Sequence, residues 1–309
     1  LQTLGVPQLS AFRSRNLPPP GDIPDHVQIF YDYTEALSQK PDIVVIANPT
    51  AYHLPYAQKA VEVGCHLYLE KPISHTLDDV ERLKETVTSN QCVVSVGCQF
   101  RFHENLEKIK SWLEEGKLGK IFSVSVDMGE YLPDWHPWED YRQSYSAKEE
   151  MGGGVVLTLI HDLDYLFWLF GKVKKVYAIG GKLTKLEINV EDTAIISLIT
   201  ESGVVVQLRM DFWRKTSVRT MSIVGEKGEI YWDYYQGEIV LSDRKGIAKS
   251  FKTSENWDRN LLFFGTMKDF LNAIKTNTQP RTSLQDGIDV LKIATAAKQS
   301  IKEGKIIEL

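Results

Sequence analysis

Apolar residues fall in two different rhythms along the chain, and the change of rhythm divides it. Through the first third, short continuous apolar runs alternate with amphipathic stretches. Leu9–Phe12, Ile29–Tyr31, Asp42–Ile46, Leu67–Leu69 and Val93–Gly97 read as strands, and Thr34–Gln39, Tyr52–Val63 and Leu77–Ser89 read as helices. Runs without alternation suit strands buried on both faces, so this part predicts a doubly wound parallel sheet with right-handed crossovers. Helix Glu104–Gly116, strand Ile121–Val126 and the apolar helix Val155–Phe170 follow. From Val173 the period becomes two. In Gly203–Trp213 the side chains of Val204, Val206, Leu208, Met210 and Phe212 point one way, and those of Gln207, Arg209 and Asp211 the other. Strands at Glu191–Thr200, Met221–Val224 and Glu229–Asp233, with Gly225–Gly228 as a hairpin turn, predict a sheet with one apolar and one mixed face. Helices cover the first face; the second, carrying Trp213 and Trp232, suits a subunit interface. Leu261, Phe264, Met267, Leu271 and Ile274 form a helical stripe that reads as core, and a last helix spans Ser283–Glu303.

The beginning of the chain departs from this order. Leu1–Gly5 reads as the last turn of a helix, and Gly5 is the only glycine before Gly21 in the Pro-rich loop Leu17–Gly21. No G-x-G-x-x-G is therefore present, whereas a doubly wound nucleotide domain ordinarily starts one strand and one glycine-rich turn earlier. The expectation is that this start lies upstream of the numbering, that Leu9–Phe12 and Asp42–Ile46 flank a slot in the sheet, and that these 309 residues alone bind NAD or NADP weakly.

With 309 residues, 43% hydrophobic and 25% charged, the chain has the size and make-up of an ordinary two-domain globular protein. Its net charge of −5 comes from interspersed charges without a basic block, which argues against nucleic acid as a partner. Cys65, Cys92 and Cys98 are odd in number and lack metal-ligand spacing, so they read as buried thiols in a reducing compartment, with no metal site. No apolar run reaches the length of a membrane helix and no signal peptide opens the sequence, which leaves the cytoplasm as the expected location.

Chemistry gathers where strands end. Three successive strands finish at Asn48, at Lys71 and at Gln99 with Arg101, marking one rim of the sheet, and ligands of open α/β sheets collect at that rim. Pro72 keeps Lys71 out of the helical region, so the lysine is pinned at the strand end; the same residues also read as a surface lysine beside a turn proline. Tyr131–Arg142 is a loop dense in aromatics, with Tyr131, Trp135, Trp138 and Arg142 able to hold a polar ring, or simply a lid packed on itself. Gly152–Gly154 would let backbone approach a ligand closely. Within the apolar helix behind it, Thr158 and His161 are three residues apart and so share a face.

Ala47-Asn48-Pro49-Thr50 with His53, Gly64 to Pro72 through Glu70-Lys71, Gly97 to His103, and Gly152-Gly-Gly154 through His161-Asp-Leu-Asp164 together resemble the successive signatures of the glucose-fructose oxidoreductase and inositol dehydrogenase family. The resemblance runs over almost the whole chain. It implies a Rossmann-type dinucleotide-binding domain (1–98) and an α+β domain (99–309) built on an open, mostly antiparallel sheet, whose last helix can return to the first domain. It also implies hydride transfer between a nicotinamide cofactor and a hydroxyl or keto group of a sugar, cyclitol or nucleotide sugar. By this resemblance Lys71 and His161 are the catalytic pair. Arg13, Ser14, Arg15, Asn48, Pro49, Thr50, His53, Glu70, Lys71 and Gln99 face the cofactor, and Arg101, Tyr131, Trp135, Trp138, Arg142, Thr158 and His161 face the substrate. Many relatives carry an aspartate where Thr158 stands, so an Asp–His pair is not expected. Arg13 and Arg15, with no acid before Asp22, favour NADP over NAD. A homodimer or homotetramer through the second sheet is expected. Two other readings stay open: a sugar- or dinucleotide-sensing regulatory protein that keeps the fold without turnover, and a reductase of a non-sugar carbonyl such as a tetrapyrrole or diol.

Overall fold

The computed structural model describes residues 4–6, 8–13, 24 and 26–309. The first part contains β1 (Ser10–Phe12), β2 (Gln28–Phe30), α1 (Tyr33–Ser38), β3 (Ile43–Ile46), α2 (His53–Glu62), β4 (His66–Leu69), α3 (Val80–Ser89) and β5 (Val94–Val96). β3, β4 and β5 form a parallel sheet in that order, while β1 and β2 form a separate parallel pair, so β1 and β3 are not bonded to each other. The continuous apolar runs of β4 and β5 are buried, as strands covered on both faces must be.

The second part contains α4 (Glu104–Glu114), β6 (Ile121–Tyr131), α5 (Val155–Thr158), α6 (His161–Phe170), β7 (Val173–Gly181), β8 (Thr193–Thr200), β9 (Val205–Asp211), β10 (Trp213–Gly225), β11 (Gly228–Asp233), β12 (Glu238–Asp243), β13 (Gly246–Lys252), α7 (Asn260–Thr276), α8 (Leu284–Glu303) and β14 (Ile307–Glu308). Its strands make a nine-stranded sheet in the order β13-β12-β11-β10-β6-β9-β8-β7-β14. Every pairing is antiparallel except β6 with β9. Val206, Leu208 and Met210 of β9 are buried while Val205, Gln207 and Arg209 are exposed, which is the alternation the period of two requires. Gly225 pairs with Gly228, leaving Glu226 and Lys227 as the two-residue turn of the expected hairpin.

Two expectations about faces are corrected. Trp232 is 0% exposed and packs among Tyr165, His103 and Tyr234, so it belongs to the helix-covered face and not to the open one. The buried stripe of α7 is Leu262, Thr266, Phe270 and Ala273, offset by one position from most of the predicted one; Met267 and Ile274 of the predicted stripe pack half-buried beside it, whereas Leu261 and Phe264 are 50% and 39% exposed. Phe270 and Ala273 seat on Tyr68 of β4 and on Val93 beside β5, so the surface that α7 meets belongs to the parallel sheet.

α8 joins the two sheets. Ser283 and Asp286 form a reciprocal capping box at its start, which satisfies two amide donors of the first turn. Just before it, the Thr282 carbonyl accepts from Val96 N–H at 2.8 Å, extending the edge of β5. Gly287 lets the helix lie directly on that sheet: a Cβ there would stand 2.8 Å from Ile73 and 2.9 Å from Val96. Further along, Ser300 Oγ accepts from Ala178 N–H of β7 at 2.8 Å, so the same helix is bonded to the large sheet.

Candidate active site

The three rim positions come together because β3, β4 and β5 are parallel neighbours. Asn48 follows β3, Glu70 and Lys71 follow β4, and Gln99 opens a three-ten helix, Gln99–Phe102, after β5. Glu70 tucks its carboxylate against Gly97, just past β5, where a Cβ would lie 2.7 Å from Glu70 Oε2 and push the carboxylate aside. Burial raises the Glu70 carboxyl above its usual range, and the charge of Lys71 partly offsets that shift. The Lys71–Pro72 peptide is cis, and Lys71 Nζ donates to the Thr158 carbonyl at 2.8 Å.

That carbonyl is free because the predicted helix is broken. Val155–Phe170 is two helices, α5 and α6, and the helical stretch Glu149–Thr158 that ends in α5 meets α6 at a bend of 49°. In a continuous helix Asp162 N–H would bond the carbonyl four residues back, at Thr158. Here it bonds Leu159 at 3.2 Å and releases Thr158 to the lysine. The break also ends the premise that Thr158 and His161 share a helical face. His161 becomes the first residue of α6, with its ring 5.1 Å from that of Phe100. Burial drives its imidazole well toward the neutral form, and the charges of Lys71, Arg219 and Arg259 act in the same direction. Its Nδ1 and the Thr158 hydroxyl are buried without a partner among the described residues.

Two carboxylates follow His161, and each meets a buried arginine. Asp164 takes Arg101 at 2.6 Å and Asp162 takes Arg219 at 3.3 Å; both acids are fully buried. Arg101 is thereby corrected as a substrate contact. Its remaining donors go to Asp286 at 3.0 Å and to the Arg281 carbonyl at 3.0 Å. Arg219 was missed, although a signal was there: on β10 it shares a register face with Met221 and Ile223, so an arginine stands among inward apolar positions. It lies 4.4 Å over the Phe100 ring, and with burial it pushes His103 down to about 4. Tyr234 and Trp257, which extend the ring cluster from Phe100, were missed as well.

The triple glycine serves the protein's own packing. Gly152, in the left-handed region at φ 80°, fits against His75 and Thr50, with room for no Cβ. Gly153 packs on the carbonyls of Tyr145, Ser146 and Lys148, and Gly154 on the Glu191 carboxylate. Glu191 in turn accepts from Val156 N–H in the first turn of α5 and pairs with Lys298 at 3.4 Å. The aromatic loop disperses. Trp135 packs edge-on against Phe212, Trp138 is 80% exposed, and Tyr131 packs on Trp213 beneath Lys215. Arg142 is an exposed residue bound to Asp140 and Glu187. Of the expected cofactor contacts, Arg13 directly follows β1, and Ser14 and Arg15 lie outside the described residues. Pro49 and the buried Thr50 continue the Asn48 loop, and His53 is buried with both ring nitrogens against carbonyls.

Asn48 Oδ1 and Gln99 Oε1 are buried acceptors without a partner among the described residues, and they follow the strands on either side of the one that leads to Lys71. Unpaired acceptors at strand ends fit a group that brings N–H and O–H donors, as a nicotinamide amide and ribose hydroxyls do. Residues 10–98 match the model of the oxidoreductase family's NAD-binding Rossmann fold, and residues 110–309 match that of its C-terminal alpha/beta domain. The chain belongs to the glucose-fructose oxidoreductase and inositol dehydrogenase family. Within this oxidoreductase family it is 28% identical to myo-inositol 2-dehydrogenase of Thermotoga maritima, over 87% of this chain and 80% of that protein. It is 24% identical to D-glucoside 3-dehydrogenase of Escherichia coli, over 88% and 81%. Levoglucosan dehydrogenase in complex with NADH shares the fold at a TM-score of 0.83 and 19% identity, over 91% of this chain and 83% of that one. Among the described residues no single helix is long and apolar enough to cross a membrane.

The two arginines expected on the substrate should separate in an unfolding experiment. Arg101→Met leaves the Asp164 carboxylate buried and unpaired and should cost about 3–5 kcal/mol of stability. Arg142→Met should leave the urea midpoint unchanged, because its partners are solvated. Equal effects would refute this assignment of buried and surface pairs.

Proposed function

We propose that this oxidoreductase transfers a hydride between NADP and a ring hydroxyl or keto group of a sugar, cyclitol or nucleotide sugar, with Lys71 and His161 handling the proton. The observation that carries the reading is the Lys71 Nζ contact with the Thr158 carbonyl, which brings the rim lysine to the turn that presents His161. In the oxidative direction His161, held neutral, accepts the proton of the substrate hydroxyl. Lys71 donates to the same oxygen and steadies the charge that develops on it. The nicotinamide, when bound, supplies the hydride acceptor. Asn48 and Gln99 would hold the cofactor amide side of the rim, and Thr158 with the Tyr234 and Trp257 cluster would face the substrate.

The division of labour we propose is a cofactor part through residue 98 and a substrate and oligomerisation part from 99. The packing of α7 and α8 on the parallel sheet supports a return of the chain end to the first part. Exposed Tyr177, Ile179, Ile199, Val205 and Tyr231 on the open face of the large sheet support assembly of copies through it. Three free buried cysteines support a reducing, cytoplasmic setting.

Lys71→Ala and His161→Ala should each lower turnover by about 10² or more, with cofactor affinity nearly intact. Wild-type rates in both variants on a verified substrate would overturn the assignment. The pH profile supplies a second check. A base must be neutral to accept a proton, and the environment of His161 disfavours its cation, so the acid limb of kcat/KM for oxidation should fall below pH 6.5, the ordinary histidine value. A limb at or above that value, lost in His161→Ala, would contradict the neutral-base role. The choice of NADP rests on Arg13 and Arg15, which follow the Leu9–Phe12 run in the sequence with no acid before Asp22. Isothermal titration with both cofactors should show tighter NADP binding, and a clear preference for NAD removes the idea.

A further inference from the structure

The side chain of His53 is used twice by the protein itself. It belongs to the first turn of α2, is 1% exposed, and lies between two loops that reach the rim from different strands. Nδ1 stands 2.7 Å from the carbonyl oxygen of Pro72, and Nε2 stands 2.8 Å from that of Asn48. Both are hydrogen-bond distances, and a carbonyl oxygen can only accept, so the ring is the only possible donor in either contact; a neutral imidazole carries one N–H, so each tautomer donates to one carbonyl and rests against the other. The two carbonyls belong to the segments that carry Asn48 Oδ1, unpaired among the described residues, and the ammonium of Lys71. No ring nitrogen is left for a ligand. The geometry points to His53 as a positioning residue, a cross-tie that fixes the Asn48 loop and the Lys71–Pro72 turn relative to each other without touching either reacting group.

Other connections between these loops do not substitute for the tie. Glu70 N–H bonds the Ile46 carbonyl at 2.9 Å, which fixes the strands up to their last residues, but both loops run beyond that bond. Past it, Lys71 Nζ goes to Thr158, and Gly152 packs on both Thr50 and His75, which brings the loops into contact but is not a hydrogen bond between them. A displacement of about 1 Å at a proton-handling group is enough to cost on the order of 10² in rate, so the tie matters to chemistry at a distance. Its bearing on turnover rests on the role proposed for Lys71, whereas the tie itself does not.

Hydrogen–deuterium exchange of the cofactor-free protein tests it. His53→Phe fills the space without a donor, and peptides covering 47–52 and 70–75 should both exchange faster by about tenfold, with the strands of the large sheet unchanged. His53→Gln brings two N–H donors on one nitrogen and should restore protection in both segments. Wild-type exchange of either segment in the Phe variant, or failure of Gln to restore them, overturns the proposal. In the wild-type protein a His53 ring N–H should persist in proton–nitrogen NMR; one that exchanges as fast as free imidazole overturns the tie whether or not the variants fold. Loosened segments with unchanged turnover leave the tie standing and remove the role given to Lys71.

Discussion

Arg101 holds three elements in one grip, and the placement of the site depends on that grip. Its Nε and Nη2 bond Asp164 of α6, and its Nη1 bonds both Asp286 in the first turn of α8 and the Arg281 carbonyl. The residue itself stands in the three-ten turn after β5. The cofactor rim, the helix that begins with His161 and the helix that joins the two sheets therefore meet at a single guanidinium. Removing two charges from water costs several kcal/mol per ion before their attraction repays it, so this pairing is weak evidence for stability. What it supplies is orientation, because the planar fork accepts only a narrow set of partner positions.

The electrostatics of His161 follow from the same arrangement. Asp162 and Asp164 are the acids nearest to it in sequence, and either one left unpaired would favour the imidazolium. Arg219 and Arg101 neutralise them, and Tyr165 donates to Asp162 Oδ1 at 2.7 Å to complete its shell. With the acids paired, burial and the charges of Lys71, Arg219 and Arg259 decide the outcome, and all of them disfavour the cation. A neutral imidazole beside an ammonium is the combination needed for one group to accept a proton while the other donates a hydrogen bond.

How much of this was legible depended on the range of the interaction that fixes each residue. Lys71 was legible because Pro72 restricts its neighbour directly and the apolar run of β4 places both at a strand end. The turn at Gly225–Gly228 and the alternation of β9 are local in the same sense. Long-range contacts decided the rest. In α7 both Leu261 and Leu262, and both Phe263 and Phe264, are apolar, so two helical stripes fit the first turns, and only the surface of Tyr68 and Val93 selects the one through Phe270. Arg101 and Arg142 look alike in the sequence, and only the fold gives one a buried acid and the other solvent. Arg219 could have been found from its register alone, since a cation in an inward position needs a partner.

The helix break shows why an all-apolar segment hides its own geometry. Val155 to Ile160 contains no glycine or proline to announce an interruption, and its side chains are apolar all round except at Thr158, so periodicity offers no face to follow. The break is set from outside. Glu191 accepts from the first turn of α5, Gly154 packs directly on that carboxylate, and Lys71 takes the carbonyl that the next helix gives up. Backbone left unpaired in a buried site costs free energy unless another donor arrives, so an ammonium at this point is part of what makes the interruption tolerable. The lysine to which we assign proton handling is thus also the group that satisfies the broken helix, so replacing it removes a backbone partner along with the role proposed for it.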